Sequence, residues 1–253
     1  MKIVLFVFLL GSCGMQEDIS MDKNQSGDHV QEEIVEDSLA TEPVDTIKEE
    51  NKPLTFLALG DSYTIGHSVD VDLRWPVQLV NQLNNRGLVF DPPTIVATTG
   101  WTTSYLLEGI EKAELEDSYD LVSLLIGVNN QYQRKDISEF VQEFEKLLLK
   151  ARLLAGQKTD HLIVLSIPDY SKTPAFINSP DAPRISDEID QYNDIAKDIC
   201  ESYHVKFFNI TEISRLAESD RSLTAGDSLH PSGKMYELWV REILDHVRGL
   251  YMQ

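Results

Sequence analysis

The chain has 253 residues, of which 42% are hydrophobic, so it can bury a sizeable core in one large domain or two small ones. Its formal net charge is -20 and its Lys and Arg residues form no cluster, which excludes a nucleic-acid-binding protein because phosphate binding needs such clusters. The histidines are scattered and show no metal-ligand spacing, so neither a metal nor another cofactor is expected.

Residues 1–12 have the pattern of a secretory signal peptide. Lys2 is followed by an apolar run at 3–10 and then by Gly11 and Ser12, and this run is too short for the roughly 20 residues that span a membrane. Residues 10–13 also resemble the bacterial lipobox, in which the cysteine is acylated and becomes the mature N-terminus. We therefore expect an exported lipoprotein, held by a lipid on Cys13 at the outer membrane, on its periplasmic face or at the cell surface. An ordinary signal peptide with an incidental cysteine is the alternative.

Residues 13–52 are predicted to form a disordered acidic tether. Between positions 14 and 52 there are 12 acidic residues and 3 lysines, with almost no aromatic side chain. Such a segment cannot bury enough apolar surface to offset the entropy lost on folding.

From Pro53 onward, short apolar runs alternate with amphipathic stretches. The apolar runs predict strands that are buried on both faces, as in a parallel sheet, at residues 54–59, 94–97, 121–126, 161–167 and 205–208. The amphipathic stretches predict helices at residues 73–85, 102–113, 137–155, 185–203 and 232–251. The alternation indicates one doubly wound α/β domain over residues 53–253. Cys200 is expected to be a small buried residue, although a disulfide with Cys13 stays open.

In a doubly wound sheet, the reactive groups lie beyond the carboxyl ends of the strands. Polar and glycine-containing segments follow the first four predicted strands, and a fifth segment precedes the last helix. These segments are residues 60–62, 100–103, 127–130, 168–170 and 227–231. We therefore expect these five segments to meet at one end of the sheet.

Together these segments hold the groups that acyl transfer needs. Ser62, at a strand-to-helix turn, is the candidate nucleophile, and His230 is the candidate base. Asp227 precedes His230 by three residues and is placed to orient its imidazole. The backbone N–H groups of Ser62 and Gly100 and the side-chain amide of Asn129 are candidate donors for an oxyanion hole.

Taken together, these motifs resemble those of the SGNH/GDSL hydrolases. The blocks are Gly60-Asp61-Ser62-Tyr63, Gly100, Gly127-Val128-Asn129 and Asp227-Ser228-Leu229-His230, and the family is named for the Ser, Gly, Asn and His that stand here as Ser62, Gly100, Asn129 and His230. The resemblance covers residues 54 to about 251. It implies a flavodoxin-like three-layer α/β/α sandwich with a five-stranded parallel sheet, and activity on carboxylic esters without a metal or cofactor. One departure is Asn130, where the family often has Asp.

Some residues near these motifs allow a second interpretation. His67 is a rival base, but it is more simply a loop residue near the substrate. Asp61 is expected to cap the helix that follows it. Tyr63, Trp101 and Tyr132 are expected to be packing residues, with substrate platforms as the alternative. His161 and His204 are expected to be structural residues at element ends.

The favoured function is a serine esterase that removes short acyl groups, such as acetyl, from a saccharide or another polar alcohol. The segments after the strands are polar, and no apolar segment is left over for a lid or a deep acyl tunnel. The runner-up is a lysophospholipase or thioesterase-like lipid hydrolase, whose acyl chain would lie on Ile65, Val69 and Val71. A non-catalytic surface binding protein on the same fold and an acyltransferase are further alternatives.

Overall fold

A computed structural model of the protein describes residues 52–252. The predicted signal peptide, the lipidation site Cys13 and the predicted tether up to Asn51 lie outside the described residues, so these interpretations stay predictions. Over residues 52–252, no helix combines the length and the hydropathy that crossing a membrane requires.

The described residues contain one parallel sheet in the order β2-β1-β3-β4-β5. Its strands are β1 (Phe56–Gly60), β2 (Thr94–Ala97), β3 (Leu121–Leu125), β4 (Leu162–Leu165) and β5 (Lys206–Phe208). The adjacent strands β1 and β3 are buried along their whole length because helices cover both faces, which explains their unbroken apolar runs. The predicted flavodoxin-like sheet is confirmed.

Helices fill the connections between strands and form two layers. They are α1 (Ser62–Ile65), α2 (Trp75–Asn84), α3 (Thr103–Lys112), α4 (Val128–Tyr132), α5 (Ile137–Leu154), α6 (Ala182–Ser202), α7 (Thr211–Arg215) and α8 (Gly233–Tyr251). Helices α2 and α8 pack together, whereas α3, α5 and α6 pack side by side in series. The result is the predicted α/β/α sandwich.

The differences from the predicted elements are small and have local causes. Helix α6 begins at Ala182 rather than at residue 185, since Pro183 fits the first turn of a helix, where its missing N–H is not needed. Helices α1, α4 and α7 are one turn long and therefore produce no periodic pattern. The first predicted strand is shorter than expected, because Leu54 makes only an isolated bridge to Phe90.

Three residues that were expected to be structural are so placed. Cys200 is fully buried in the core on α6, and this burial raises the pKa of its thiol to about 12. A ring nitrogen of His161, Nδ1, pairs with the backbone carbonyl of Asp120 at 2.6 Å. His204 follows the end of α6 in the left-handed conformation, with a φ of 57°.

Candidate active site

A cavity of about 210 Å³ lies where the predicted segments meet beyond the carboxyl ends of the strands. Each of the five segments contributes at least one lining residue, as expected. The polar part of the lining contains Ser62, Thr99, Gly100, Asn129 and His230, and the remaining wall is Tyr63, Val128, Tyr132, Tyr170, Phe176 and Leu229.

Ser62 is the first residue of α1, directly after β1. Asp61 caps this helix, as predicted, because its Oδ1 accepts the Tyr63 N–H at 3.0 Å. Gly66 ends the helix in the left-handed conformation, at a φ of 70°. The side chain of Ser62 is therefore held on a one-turn helix at the edge of the cavity, where the residue is 5% exposed.

Asp227 fixes the orientation of His230 through both of its carboxylate oxygens. Oδ1 accepts the backbone N–H groups of Leu229 at 3.0 Å and His230 at 2.9 Å. Oδ2 pairs with Nδ1 of the His230 ring at 2.7 Å. A neutral imidazole that donates from Nδ1 to a carboxylate has its lone pair on Nε2, which is the form that a general base needs.

The surroundings keep this pair in the charge state that proton abstraction requires. Burial lowers the pKa of His230, the Asp227 carboxylate opposes this effect, and His67 lowers the pKa further, so the imidazole is neutral at pH 7. Burial alone would raise the pKa of Asp227. The hydrogen bonds from the N–H of Leu229, the Ser68 hydroxyl and His230 outweigh that effect and hold the pKa well below its usual range.

Ser68 is a site residue that sequence reasoning missed. Its hydroxyl donates to Asp227 Oδ2 at 2.7 Å across 159 positions of sequence. This bond links the turn after α1 directly to the loop that carries Asp227 and His230. No local motif marks Ser68, and its left-handed φ of 65° is visible only in the structure.

His67 lies beside His230, as expected for a loop residue at the site. The two ring centroids are 4.5 Å apart, with 51° between the ring planes. Nδ1 of His67 pairs with the Thr99 hydroxyl at 3.0 Å, whereas the carboxylate of Asp227 is bonded to His230. Of the two histidines, His230 therefore has the orienting carboxylate that a base needs.

The two candidate oxyanion donors contributed by other segments, Gly100 and Asn129, are also at the cavity. Gly100 has a φ of 88°, in the left-handed region that favours glycine. Asn129 Nδ2 donates to the backbone carbonyl of Trp101 at 2.9 Å, and this bond leaves the second hydrogen of the amide for a ligand. Gly127 directly precedes α4 as its N-cap, at a φ of 128°, and a Cβ there would lie 2.7 Å from the Phe140 ring.

The structure explains why Asn130 suits this chain in place of the usual Asp. Its buried amide accepts the Thr103 N–H at 3.0 Å and donates to the Thr103 hydroxyl at 2.6 Å. That hydroxyl in turn donates to Glu143 Oε2 at 2.5 Å. An Asp at position 130 has no hydrogen to donate when ionised, and it would bring a second carboxylate to the same hydroxyl.

Of the three aromatic residues near the motifs, two are packing residues and one is exposed at the cavity. Tyr63 is buried and packs edge-on against Trp239. The Trp101 ring lies on Gly109, where a Cβ would come within 2.3 Å of it. The packing role predicted for Tyr132 is wrong, because α4 places its side chain at the cavity with 58% of the residue exposed, edge-on to Tyr170.

The fold is shared with several solved structures. The structure of TesA aligns with a TM-score of 0.61 at 15% identity, covering 78% of this chain and 99% of that one. An acetylxylan esterase from Geobacillus stearothermophilus aligns with a TM-score of 0.57 at 19% identity, covering 77% and 94%. The lipase/acylhydrolase from Enterococcus faecalis aligns with a TM-score of 0.58 at 21% identity, covering 78% and 96%. None of the curated proteins compared with the chain matches its sequence.

The sequence profile of the GDSL-like lipase/acylhydrolase family matches residues 58–238, which include every candidate site residue of the cavity. Because this match covers most of the chain, the resemblance does not rest on a few short motifs that could have arisen by chance. The chain therefore belongs to the GDSL-like lipase/acylhydrolase family and is a carboxylic ester hydrolase.

Proposed function

We propose that the chain is a serine esterase that works through an acyl-enzyme, with Ser62 as nucleophile, His230 as base and Asp227 as its orienting group. One observation carries this proposal. His230 is bonded through Nδ1 to Asp227 at 2.7 Å, and it lines the same cavity as Ser62, Gly100 and Asn129. A non-catalytic binding protein would have no use for this set, and the family consists of hydrolases.

In the first half of the reaction, the Ser62 hydroxyl transfers its proton to Nε2 of His230 as Oγ bonds to the ester carbonyl carbon. The oxyanion that forms accepts hydrogen bonds from the N–H groups of Ser62 and Gly100 and from the amide of Asn129. The bond to the alcohol oxygen then breaks, and His230 gives the proton to that oxygen. A water molecule repeats these steps and releases the acid and the free Ser62 hydroxyl.

The substrate that fits best is a short acyl ester, such as an acetate, of a saccharide or another polar alcohol. The cavity of about 210 Å³ is smaller than the roughly 300–1,000 Å³ that is usual for drug-sized ligands, so it suits the acyl group alone. The alcohol then lies outside the cavity, next to the exposed Tyr132 and His67. The acetylxylan esterase with the same fold acts on a substrate of this class.

A lysophospholipase or thioesterase-like activity is the second candidate, favoured by the apolar wall of Val128, Phe176 and Leu229. Two of the three residues expected to hold a long acyl chain do not support it. Ile65 and Val71 line a different cavity of about 540 Å³, which contains neither the candidate nucleophile nor the candidate base.

The decisive experiment compares kcat/KM for p-nitrophenyl esters from acetate to palmitate, followed by release of acetate from acetylated xylan and of fatty acid from lysophosphatidylcholine. We expect the highest value for acetate and a fall of several orders of magnitude in Ser62→Ala. Labelling by a fluorophosphonate probe, which requires an activated serine, gives a readout that is independent of the ester chosen. A preference for palmitate, or fast hydrolysis of lysophosphatidylcholine, would reject the short-acyl proposal.

We also propose that the enzyme is an exported lipoprotein, held at the outer membrane by a lipid on Cys13. The lipobox-like residues 10–13 and the signal-like residues 1–12 support this proposal. Incorporation of a labelled fatty acid tests it.

A further inference from the structure

We propose that His67, Asp227 and His230 form a binding site for a divalent transition-metal ion such as Zn²⁺, and that the bound ion reversibly blocks the esterase. Its inhibitory consequence rests on the function proposed above, whereas metal binding itself does not. The six histidines are scattered in sequence, but the fold brings His67 and His230 together with the carboxylate of Asp227.

The ligand atoms are already close to one another. Each of the three side chains offers one nitrogen or oxygen atom, and these atoms all lie within 4.8 Å of one another. A tetrahedral ion about 2.0–2.2 Å from each ligand holds its ligands about 3.4 Å apart. Binding requires Asp227 Oδ2 and Nδ1 of His230, now 2.7 Å apart, to separate to about 3.4 Å, and requires the exposed His67 ring to turn toward them.

The ligand types select the class of metal. Two imidazoles and one carboxylate suit Zn²⁺, Cu²⁺ or Ni²⁺, whereas Mg²⁺ and Ca²⁺ prefer oxygen ligands. The candidate ion is therefore a borderline transition metal.

An ion at this position blocks the proposed proton transfer from Ser62 to His230. A metal binds imidazole through a nitrogen lone pair. Because Asp227 lies on the Nδ1 side of the His230 ring, an ion that both residues ligate binds Nδ1 and displaces the 2.7 Å hydrogen bond between them. The proton of the neutral imidazole is then on Nε2, which has no lone pair left to accept the Ser62 proton. Occupancy and activity therefore exclude each other.

His67 is the ligand to replace, because it lies outside the proposed proton path and oxyanion hole. Since it borders the proposed position of the alcohol, inhibition of each variant is compared with that variant's own activity without zinc. His67→Gln keeps a polar group next to the Thr99 hydroxyl but removes the imidazole ligand. The matched control is His204→Asn, which removes an exposed imidazole at the end of α6, and Asn tolerates the left-handed backbone there.

The experiment uses the full chain, purified without a polyhistidine tag and titrated with zinc chloride. Binding is measured by calorimetry, and p-nitrophenyl acetate hydrolysis is measured before and after addition of a chelator. We expect inhibition that the chelator reverses. We expect His67→Gln to weaken zinc binding and inhibition by at least the roughly 10–100-fold that loss of a ligand's supporting partner costs, and His204→Asn to behave like the native chain.

The two proposals fail in different ways. Equal zinc binding by the native chain and His67→Gln, or binding without inhibition of an active enzyme, overturns the metal site. A native chain that neither hydrolyses esters nor reacts with a fluorophosphonate overturns the proposed function, and calorimetry on the same variants still decides whether the metal binds. Zinc bound elsewhere on the chain contributes equally to both variants.

Discussion

Replacing Asp61 by asparagine is expected to stabilise the folded chain at neutral and alkaline pH. The Asp61 carboxyl is fully buried, and its Oδ2 has no hydrogen-bond partner within the described residues. Burial raises its pKa from 3.8 to about 7, against the opposing hydrogen bond from the Tyr63 N–H. Asparagine has nearly the same shape, keeps the oxygen that caps α1, and is uncharged at every pH.

The magnitude follows from linkage between protonation and folding. Because the pKa of Asp61 is higher in the folded chain than in the unfolded chain, the folded chain retains a proton that the unfolded chain releases between about pH 4 and pH 7. The free energy of unfolding therefore falls across this window and levels off above it. At about 1.36 kcal/mol per pKa unit, ionising Asp61 costs the native chain about 4 kcal/mol above pH 7.

The assay is urea unfolding, followed by tryptophan fluorescence at intervals from pH 4 to pH 8, for the native chain and Asp61→Asn. We expect the advantage of the variant to grow from its value near pH 4 by about 4 kcal/mol, or about 8–16 °C in Tm for a domain of this size. Titration of all other groups is common to both chains and cancels. Asp117→Asn, which removes an exposed carboxylate, is the control and is expected to show no such growth. A constant difference between Asp61→Asn and the native chain at every pH would refute the reasoning.

Three further predictions concern the proposed machinery and anchor. Ser62→Ala is expected to lower kcat by several orders of magnitude and Asn129→Ala by roughly 10²–10³, measured on p-nitrophenyl acetate, and near-native turnover in Ser62→Ala would falsify its role as nucleophile. Ser68→Gly fits the left-handed backbone and removes the hydroxymethyl group whose hydroxyl donates to Asp227. We expect kcat to fall about five- to tenfold, which corresponds to about 1–1.5 kcal/mol of activation free energy, while KM stays the same. An unchanged kcat would show that the bond does not position Asp227. Cys13→Ser is expected to abolish incorporation of labelled fatty acid and to release the protein in soluble form, and a variant that stays with the membrane would contradict the lipid anchor.

The parts of the site that follow a strand or share a short motif were predictable from sequence. Ser62, Gly100 and Asn129 each come soon after an apolar run, and the carboxyl ends of parallel strands meet at one edge of a sheet. Asp227 and His230 are three residues apart, so their contact is a local property of one loop. Periodicity and chain order were sufficient for these residues.

The remaining contacts depend on how distant loops meet, which periodicity does not encode. Ser68 is separated from Asp227 by 159 positions, and its hydroxyl is presented from a left-handed backbone that the residue pattern does not predict. The contact between His67 and His230 arises in the same way. The packing role predicted for Tyr132 was wrong because α4 is a single turn, and the direction of this turn depends on the φ of Gly127.

Helix α4 carries, within a single turn, two residues with different proposed roles. Asn129, the candidate oxyanion donor, and Tyr132, the exposed aromatic residue at the cavity, are three residues apart and therefore share one face of this helix. A substitution at Tyr132 that tilts the helix also moves the Asn129 amide, which is tied to the Trp101 carbonyl. A substitution at Tyr132 that changes the preferred alcohol is therefore expected to lower turnover as well. Phe176, on a separate loop of the same wall, offers a route to new substrates that leaves the oxyanion donor in place.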